Sequence, residues 1–210
     1  MGLGLLVGSM KIVFIIYNGM TTLDFIGVFD PVARLRTMGI IGVDLGWDIC
    51  AFTDMVIDGM GIRIIPDKVR PNLDKYDTII VPGGLSSRTL IKDEKFMNWI
   101  KTADHCPLKI SVCSGSLILG AAGFLKGFTA TSHPSALEQL RAYCSVSDDR
   151  IIDCGDVITS GGVTSGIDLG FYLVKKWAGE DVVDRIRTQM CYDISNVAVK
   201  QVKILDSSRE

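Results

Sequence analysis

The sequence predicts an α/β fold built around a mainly parallel sheet, and three observations carry that reading. Short apolar runs, Lys11–Tyr17 (KIVFIIY), Asp77–Val81 (DTIIV) and Leu108–Val112, have the composition of strands buried on both faces. Stretches with helix start and stop signals alternate with them, the pattern of strand–helix–strand units with right-handed connections. No internal repeat, low-complexity tract or linker divides the 210 residues, so one domain is expected, over 11–193.

The elements follow in order. The first strand ends at Asn18-Gly19, a turn signal. Thr21-Thr22 can cap a helix over Leu23–Met38 that stops at Gly39, with a break or kink expected near Asp30 because Pro31 lies inside it. Val43–Thr53 reads as a second strand, and Asp58-Gly59 as the turn of a hairpin within 54–65. After the DTIIV strand come Pro82-Gly83-Gly84 and a short amphipathic helix, Asp93–Thr102, carrying Phe96, Trp99 and Ile100. The strand Leu108–Val112 runs into a small, apolar helix over Ser114–Ala122, closed by Gly123. Phe128–Ser132 is strand-like, His133-Pro134 opens a loop and helix reaching Tyr143, and Arg150–Ile152 with Val157–Thr159 form a second hairpin. Ser160-Gly161-Gly162 leads into a long helix, Val163–Trp177, broken at Gly179 and followed by a last helix over Glu180–Met190. Residues 1–9 read as a disordered extension or an upstream start, with Met10 as a plausible native start, and 194–210 as a C-terminal tail.

Composition excludes several function classes. Hydrophobic residues make up 48% and charged residues 22%, as in an ordinary globular protein, and no apolar run reaches the length of a membrane span. A formal net charge of −2 offers no electrostatic case for nucleic acid or an anionic membrane as partner. The six cysteines form no C-x-x-C pair, and two histidines give no zinc pattern. Scattered thiols in a chain able to build its own core predict the cytoplasm and no disulfide framework. Both the dinucleotide fingerprint and the P-loop pattern are missing.

The chemistry is expected at Cys113. It sits where a strand turns sharply into a helix, which would push it out above the sheet and aim the first helical N–H groups at its sulfur. Those donors and the helix dipole would favour thiolate over thiol. A buried structural cysteine is the plainer reading. Ligands in such sheets bind beyond the carboxyl ends of the strands, and the turn after the first strand, Gly83-Gly84 and Cys113 all fall on that edge. The N–H groups of Gly84 and Ser114 can make a two-donor hole for developing negative charge, although Gly83-Gly84 also serves as an ordinary tight turn. Asp24, in the first helical turn, either complements the helix dipole or lies close to the sulfur as a proton carrier. His133 is the candidate histidine partner of Cys113, or else a solvated or capping residue. The small residues of 160–166 permit close helix–sheet packing or line a substrate site, with Val163 among the lining candidates.

Six motifs together resemble the DJ-1/PfpI (ThiJ) superfamily. They are Thr22-Leu23-Asp24-x-x-Gly27, Val81-Pro82-Gly83-Gly84, Val112-Cys113-Ser114-Gly115-Ser116, the glycine pattern of 119–127, Ala130-Thr131-x-His133, and Thr159-Ser160-Gly161-Gly162-x-x-Ser165-Gly166-Ile167-Asp168. The resemblance spans about 11–193 and is nearest to the isocyanide hydratase branch and to the sensing domains of AraC-type regulators. It implies a flavodoxin-like three-layer sandwich, a homodimer, a small-molecule substrate and no metal or organic cofactor. By position it makes Cys113 the nucleophile, Asp24 its carboxyl partner, and the N–H groups of Gly84 and Ser114 an anion hole. The hydratase branch often has Thr where this chain has Ser114. The expected activity is addition of water to an isocyanide through a cysteine thioimidate, with Asp24 as a neutral acid. The alternatives are glyoxalase-type or amide-hydrolysing chemistry at the same cysteine, and a non-enzymatic small-molecule or redox sensor.

Overall fold

A computed structural model describes residues 9–40, 44–192 and 202–204. In chain order the elements are β1 (Met10–Ile16), α1 (Thr22–Thr37), β2 (Leu45–Ala51), β3 (Val56–Ile57), β4 (Arg63–Ile64), β5 (Lys68–Val69), β6 (Thr78–Val81), α2 (Ser87–Leu90) and α3 (Glu94–Lys101). The second half contains β7 (Leu108–Val112), α4 (Gly115–Ala121), β8 (Thr129–Ala130), α5 (Leu137–Leu140), β9 (Ser145–Val146), β10 (Ile151–Asp153), β11 (Val157–Ser160), α6 (Ser165–Ala178), α7 (Glu180–Gln189) and β12 (Val202–Ile204).

Eight strands form the main sheet in the order β12-β10-β11-β7-β6-β1-β2-β5. From β5 to β11 every neighbour is parallel; β10 runs antiparallel to β11, and β12 pairs with β10 in parallel. The order reverses at β1, whose chain leaves toward β2 and later returns to β6 on its other side. A crevice opens beyond the carboxyl ends of the strands at such a reversal. The β6–α3–β7 connection crosses the sheet in the direction opposite to β1–α1–β2, so right-handed crossovers place α1 and α3 on opposite faces.

Sequence explains most of this directly. Every residue of β6 is buried, as its run of apolar and β-branched residues requires. Asp93 caps α3 by accepting the N–H groups of Lys95 at 3.0 Å and Phe96 at 3.1 Å, and Phe96, Met97, Trp99 and Ile100 face the core. The expected break at Pro31 does not occur: α1 runs through it. The buried Pro31 ring lies in the seam with α6, where a Cβ on Gly170 would meet its Cγ at 2.9 Å. Packing against a residue without a side chain offsets the hydrogen bond that proline forfeits. The same absence of side chains brings Gly27 against the backbone of Ile167, and Gly166 against both the carbonyls of α1 and Val112 of β7. Of the small residues of 160–166, Gly166 thus serves helix–helix as well as helix–sheet packing, and α6 begins at Ser165, two residues later than expected.

β12 adds an edge strand in the stretch read as a tail, and α2, β5 and β9 had no sequence signal. Apart from Ser9, the expected disordered extension lies outside the described residues, as does the rest of 194–210. Among the described residues, no helix is long and apolar enough to cross a membrane.

Candidate active site

The turn after β1, the Gly83-Gly84 turn after β6 and the elbow after β7 meet at one point. The Thr21 N–H donates to the Gly83 carbonyl at 2.8 Å, and the Gly83 N–H donates to Asp24 Oδ2 at 2.9 Å. These reciprocal bonds fix the start of α1 to the loop beside it. Gly83 allows the convergence, because a Cβ there would lie 2.6 Å from the Ser114 nitrogen and 2.8 Å from both Asp24 Oδ2 and the Cβ of Cys113. Hairpin β3–β4 braces the first turn from outside. The Gly19 N–H donates to the Ile57 carbonyl and the Gly59 N–H to the Met20 carbonyl, both at 2.8 Å, while Asp58 accepts the Thr22 hydroxyl.

Cys113 has φ 57°, in the left-handed region that a residue with a Cβ enters only under constraint. The constraint is visible on both sides of the residue. Its N–H donates to the Ser160 carbonyl at 3.0 Å, and its carbonyl accepts the hydroxyls of Ser132 at 2.9 Å and Ser116 at 3.2 Å. Gly115 follows because any side chain there would strike the carbonyls of Val81 and Pro82.

Asp24 is fully buried beside Cys113, the two meeting at Gly83. Burial raises its carboxyl from 3.8 to about 6, against the Gly83 N–H and the Cys113 side chain, which pull the other way. The thiol of Cys113 is pushed up to about 12, first by burial and then by the negative charge of Asp24. The Ser114 N–H opposes this without prevailing. The expectation that helical donors would leave a free thiolate is thus corrected: α4 supplies the donor, but desolvation and the adjacent carboxylate outweigh it. Burial pushes both groups up, so the pair keeps a proton at neutral pH, with Asp24 its more acidic member. Asp24 Oδ1 is buried without a hydrogen-bond partner, while Oδ2 accepts the Gly83 N–H.

The expected pairing of Gly84 and Ser114 as anion-hole donors also needs correction. The Gly84 N–H is engaged by the Ser114 hydroxyl at 3.0 Å, whereas the Ser114 N–H faces the sulfur. His133 joins neither group. Its Nδ1 sits 2.9 Å from Ser135 Oγ and accepts the Ser135 N–H at 3.2 Å, so it acts as the cap of the turn it begins. Val163 lies half-buried in the turn before α6, its carbonyl accepting the Gly166 N–H. Ser132 connects the elbow to a cleft of about 300 Å³ whose other walls include Pro134, Leu137, Arg150 and Gly162.

Sequence reasoning missed Ser132, Tyr17 and Ser87. Ser132 was the unspecified position in Ala130-Thr131-x-His133. The buried Tyr17 hydroxyl donates to the Pro82 carbonyl at 2.9 Å and feels the charges of Asp24 and Cys113. Nothing in Leu85-Ser86-Ser87 marks which serine faces inward.

Residues 10–176 match the DJ-1/PfpI family. The chain belongs to that family. An isonitrile hydratase from Pseudomonas putida is 31% identical over 187 residues, covering 88% of this chain and 79% of the relative. A ThiJ/PfpI family protein from Pseudomonas syringae superposes with a TM-score of 0.80 at 28% identity, covering 89% of this chain and 76% of the other. Drosophila melanogaster DJ-1beta shares the fold, with a TM-score of 0.74 at 20% identity over 88% of this chain and 99% of its own. The mainly parallel sheet flanked by helices is thus the DJ-1/PfpI fold, and the Cys113 elbow lies inside the matched segment.

Proposed function

We propose that this DJ-1/PfpI protein hydrates isocyanides to N-substituted formamides, with Cys113 as nucleophile and Asp24 as proton carrier. The observation that carries the reading is the pairing of a buried Cys113 with a buried Asp24 at the Gly83 turn, where burial pushes both groups up. An isocyanide carbon is attacked and then protonated at the same atom. One acid beside the nucleophile therefore suffices, and no second base across the site is needed.

In the first step the thiol proton passes to Asp24 as sulfur bonds to the terminal carbon. Asp24 then delivers that proton to the same carbon, giving the thioimidate R–N=CH–S–Cys113. Asp24, ionised again, draws a proton from water as the water oxygen adds to that carbon. The C=N electron pair moves to nitrogen, which takes the proton from Asp24. Collapse of the adduct then breaks the C–S bond, and the adduct's hydroxyl proton passes by way of Asp24 to the departing sulfur, leaving R–NH–CHO. The sum is one isocyanide and one water to one formamide. The Ser114 N–H, facing the sulfur, favours it as negative charge develops. Similarity to the Pseudomonas putida isonitrile hydratase supports the assignment. That His133 is turned to Ser135 disfavours chemistry that needs an imidazole base at the cysteine.

The test is formamide formation from a small aromatic isocyanide by wild type and Cys113→Ala. Formamide from wild type and none from the folded variant is the expected result. Substantial turnover by Cys113→Ala would remove the cysteine from the mechanism, and no formamide from wild type would overturn the hydratase assignment.

A further inference from the structure

We propose that Ser87 and Ser114 form a two-position hydroxyl relay, in which Ser87 takes over the Gly84 carbonyl so that the Ser114 hydroxyl can turn to the Cys113 sulfur as it becomes a thiolate. Ser87 is a positioning residue in this scheme. It acts on the nucleophile through Ser114, and the scheme rests on Cys113 being that nucleophile.

The geometry supplies both positions. Ser87 and Ser114 are buried, and their hydroxyl oxygens lie 2.9 Å apart. In one arrangement Ser87 donates to Ser114 Oγ, and Ser114 donates to the Gly84 carbonyl at 3.0 Å. In the other, Ser87 donates to the Gly84 carbonyl directly, at 2.8 Å. Each hydroxyl has one proton, so the second arrangement frees that of Ser114. The freed proton has a destination, because Ser114 directly follows Cys113 and its hydroxyl acts to lower the thiol against the effect of burial. The Gly84 N–H, held on Ser114 Oγ at 3.0 Å, keeps that oxygen in place in either arrangement. Without the Ser87 hydroxyl, the same rotation would leave the buried Gly84 carbonyl with the Ser87 N–H alone, at 3.1 Å, and no hydroxyl donor. Losing that second donor is unfavourable where both serines are buried.

The relay therefore contributes when negative charge appears on sulfur and leaves the resting state alone. The experiment is capture of Cys113 by iodoacetamide as a function of pH, followed by peptide-resolved mass spectrometry to separate it from the other cysteines. Proteins compared are wild type, Ser87→Ala, Ser114→Ala and the double variant. Ser87→Ala is expected to slow capture about 5- to 20-fold above pH 6 while the inflection of Asp24 stays in place. Ser114→Ala should be slowed at least as much, with the double variant no slower than Ser114→Ala. Should Ser87→Ala fold poorly by near-ultraviolet circular dichroism, Ser87→Cys, a weak donor of similar size, takes its place with the same expectation. Wild-type capture rates in the Ser87 variant, or losses that multiply in the double variant, would overturn the relay. The readout involves no isocyanide. If wild type makes no formamide but Ser87→Ala slows capture, the hydratase assignment falls and the relay stands.

Discussion

Asp24 is a carboxylate that the fold would be steadier without. Its carboxyl titrates at about 6 in the native protein against an ordinary 3.8, so between those values the folded chain holds a proton that the unfolded chain has lost. Stability therefore falls as pH rises through that window, and the penalty is complete above pH 6. Asp24→Asn is expected to raise the melting temperature at pH 7.5, by a free energy on the order of 2–3 kcal/mol, and to lose that advantage below pH 4. Under the proposed reaction, wild-type turnover is expected to follow the opposite course, rising as pH passes about 6, because the ionised carboxylate would be the form that accepts the thiol proton. Thermal melts and initial rates over the same pH series check both halves. An unchanged melting temperature in Asp24→Asn would mean that the carboxylate is not the buried charge described.

At the scale of elements, the seam between α1 and α6 links packing to chemistry. Gly27 and Pro31 on α1 face Gly166 and Gly170 on α6, and the first turn of α1 carries Asp24. Gly170→Ala would bring a Cβ within 2.9 Å of Pro31 Cγ and 3.1 Å of the Gly27 carbonyl. The helices would have to separate, at a cost of about 1–3 kcal/mol. Cys113 alkylation near neutral pH should slow together with the loss of stability, since Asp24 moves with its helix; full alkylation rates in a destabilised variant would uncouple the two. This seam also marks the limit of what could be read from sequence. Buried strands were legible because continuous apolar runs have few other uses, and Cys113 because small residues flank it at a strand–helix joint. The continuity of α1 through Pro31 was not, since the compensation lies some 140 residues away in Gly170. The sulfur's protonation state was equally hidden: the local pattern shows the donors of α4 but not the burial and charge imposed by Asp24 from another segment.

On the scale of the whole molecule, the site stands at the reversal of the sheet, while β12 closes an edge three strands from the elbow strand. Val202–Ile204 pair with Ile151–Asp153, covering backbone groups that β10 would otherwise present to another chain. Truncation after Tyr192 is expected to lower the melting temperature and to produce concentration-dependent association, visible by light scattering. Cys113 alkylation per folded molecule should be unaffected. A monodisperse truncation with an unchanged melt would show that the β10 edge needs no cover.

The left-handed backbone at Cys113 bears on how this protein can be improved. Glycine adopts φ 57° freely, whereas a residue with a side chain is held there by the bonds to Ser160, Ser132 and Ser116. Relief of that backbone strain is therefore available at the position of the proposed nucleophile. A library sorted only for survival at high temperature has no means of rejecting Cys113→Gly, and with it the loss of the activity proposed above. Selection on this scaffold has to score product in every round.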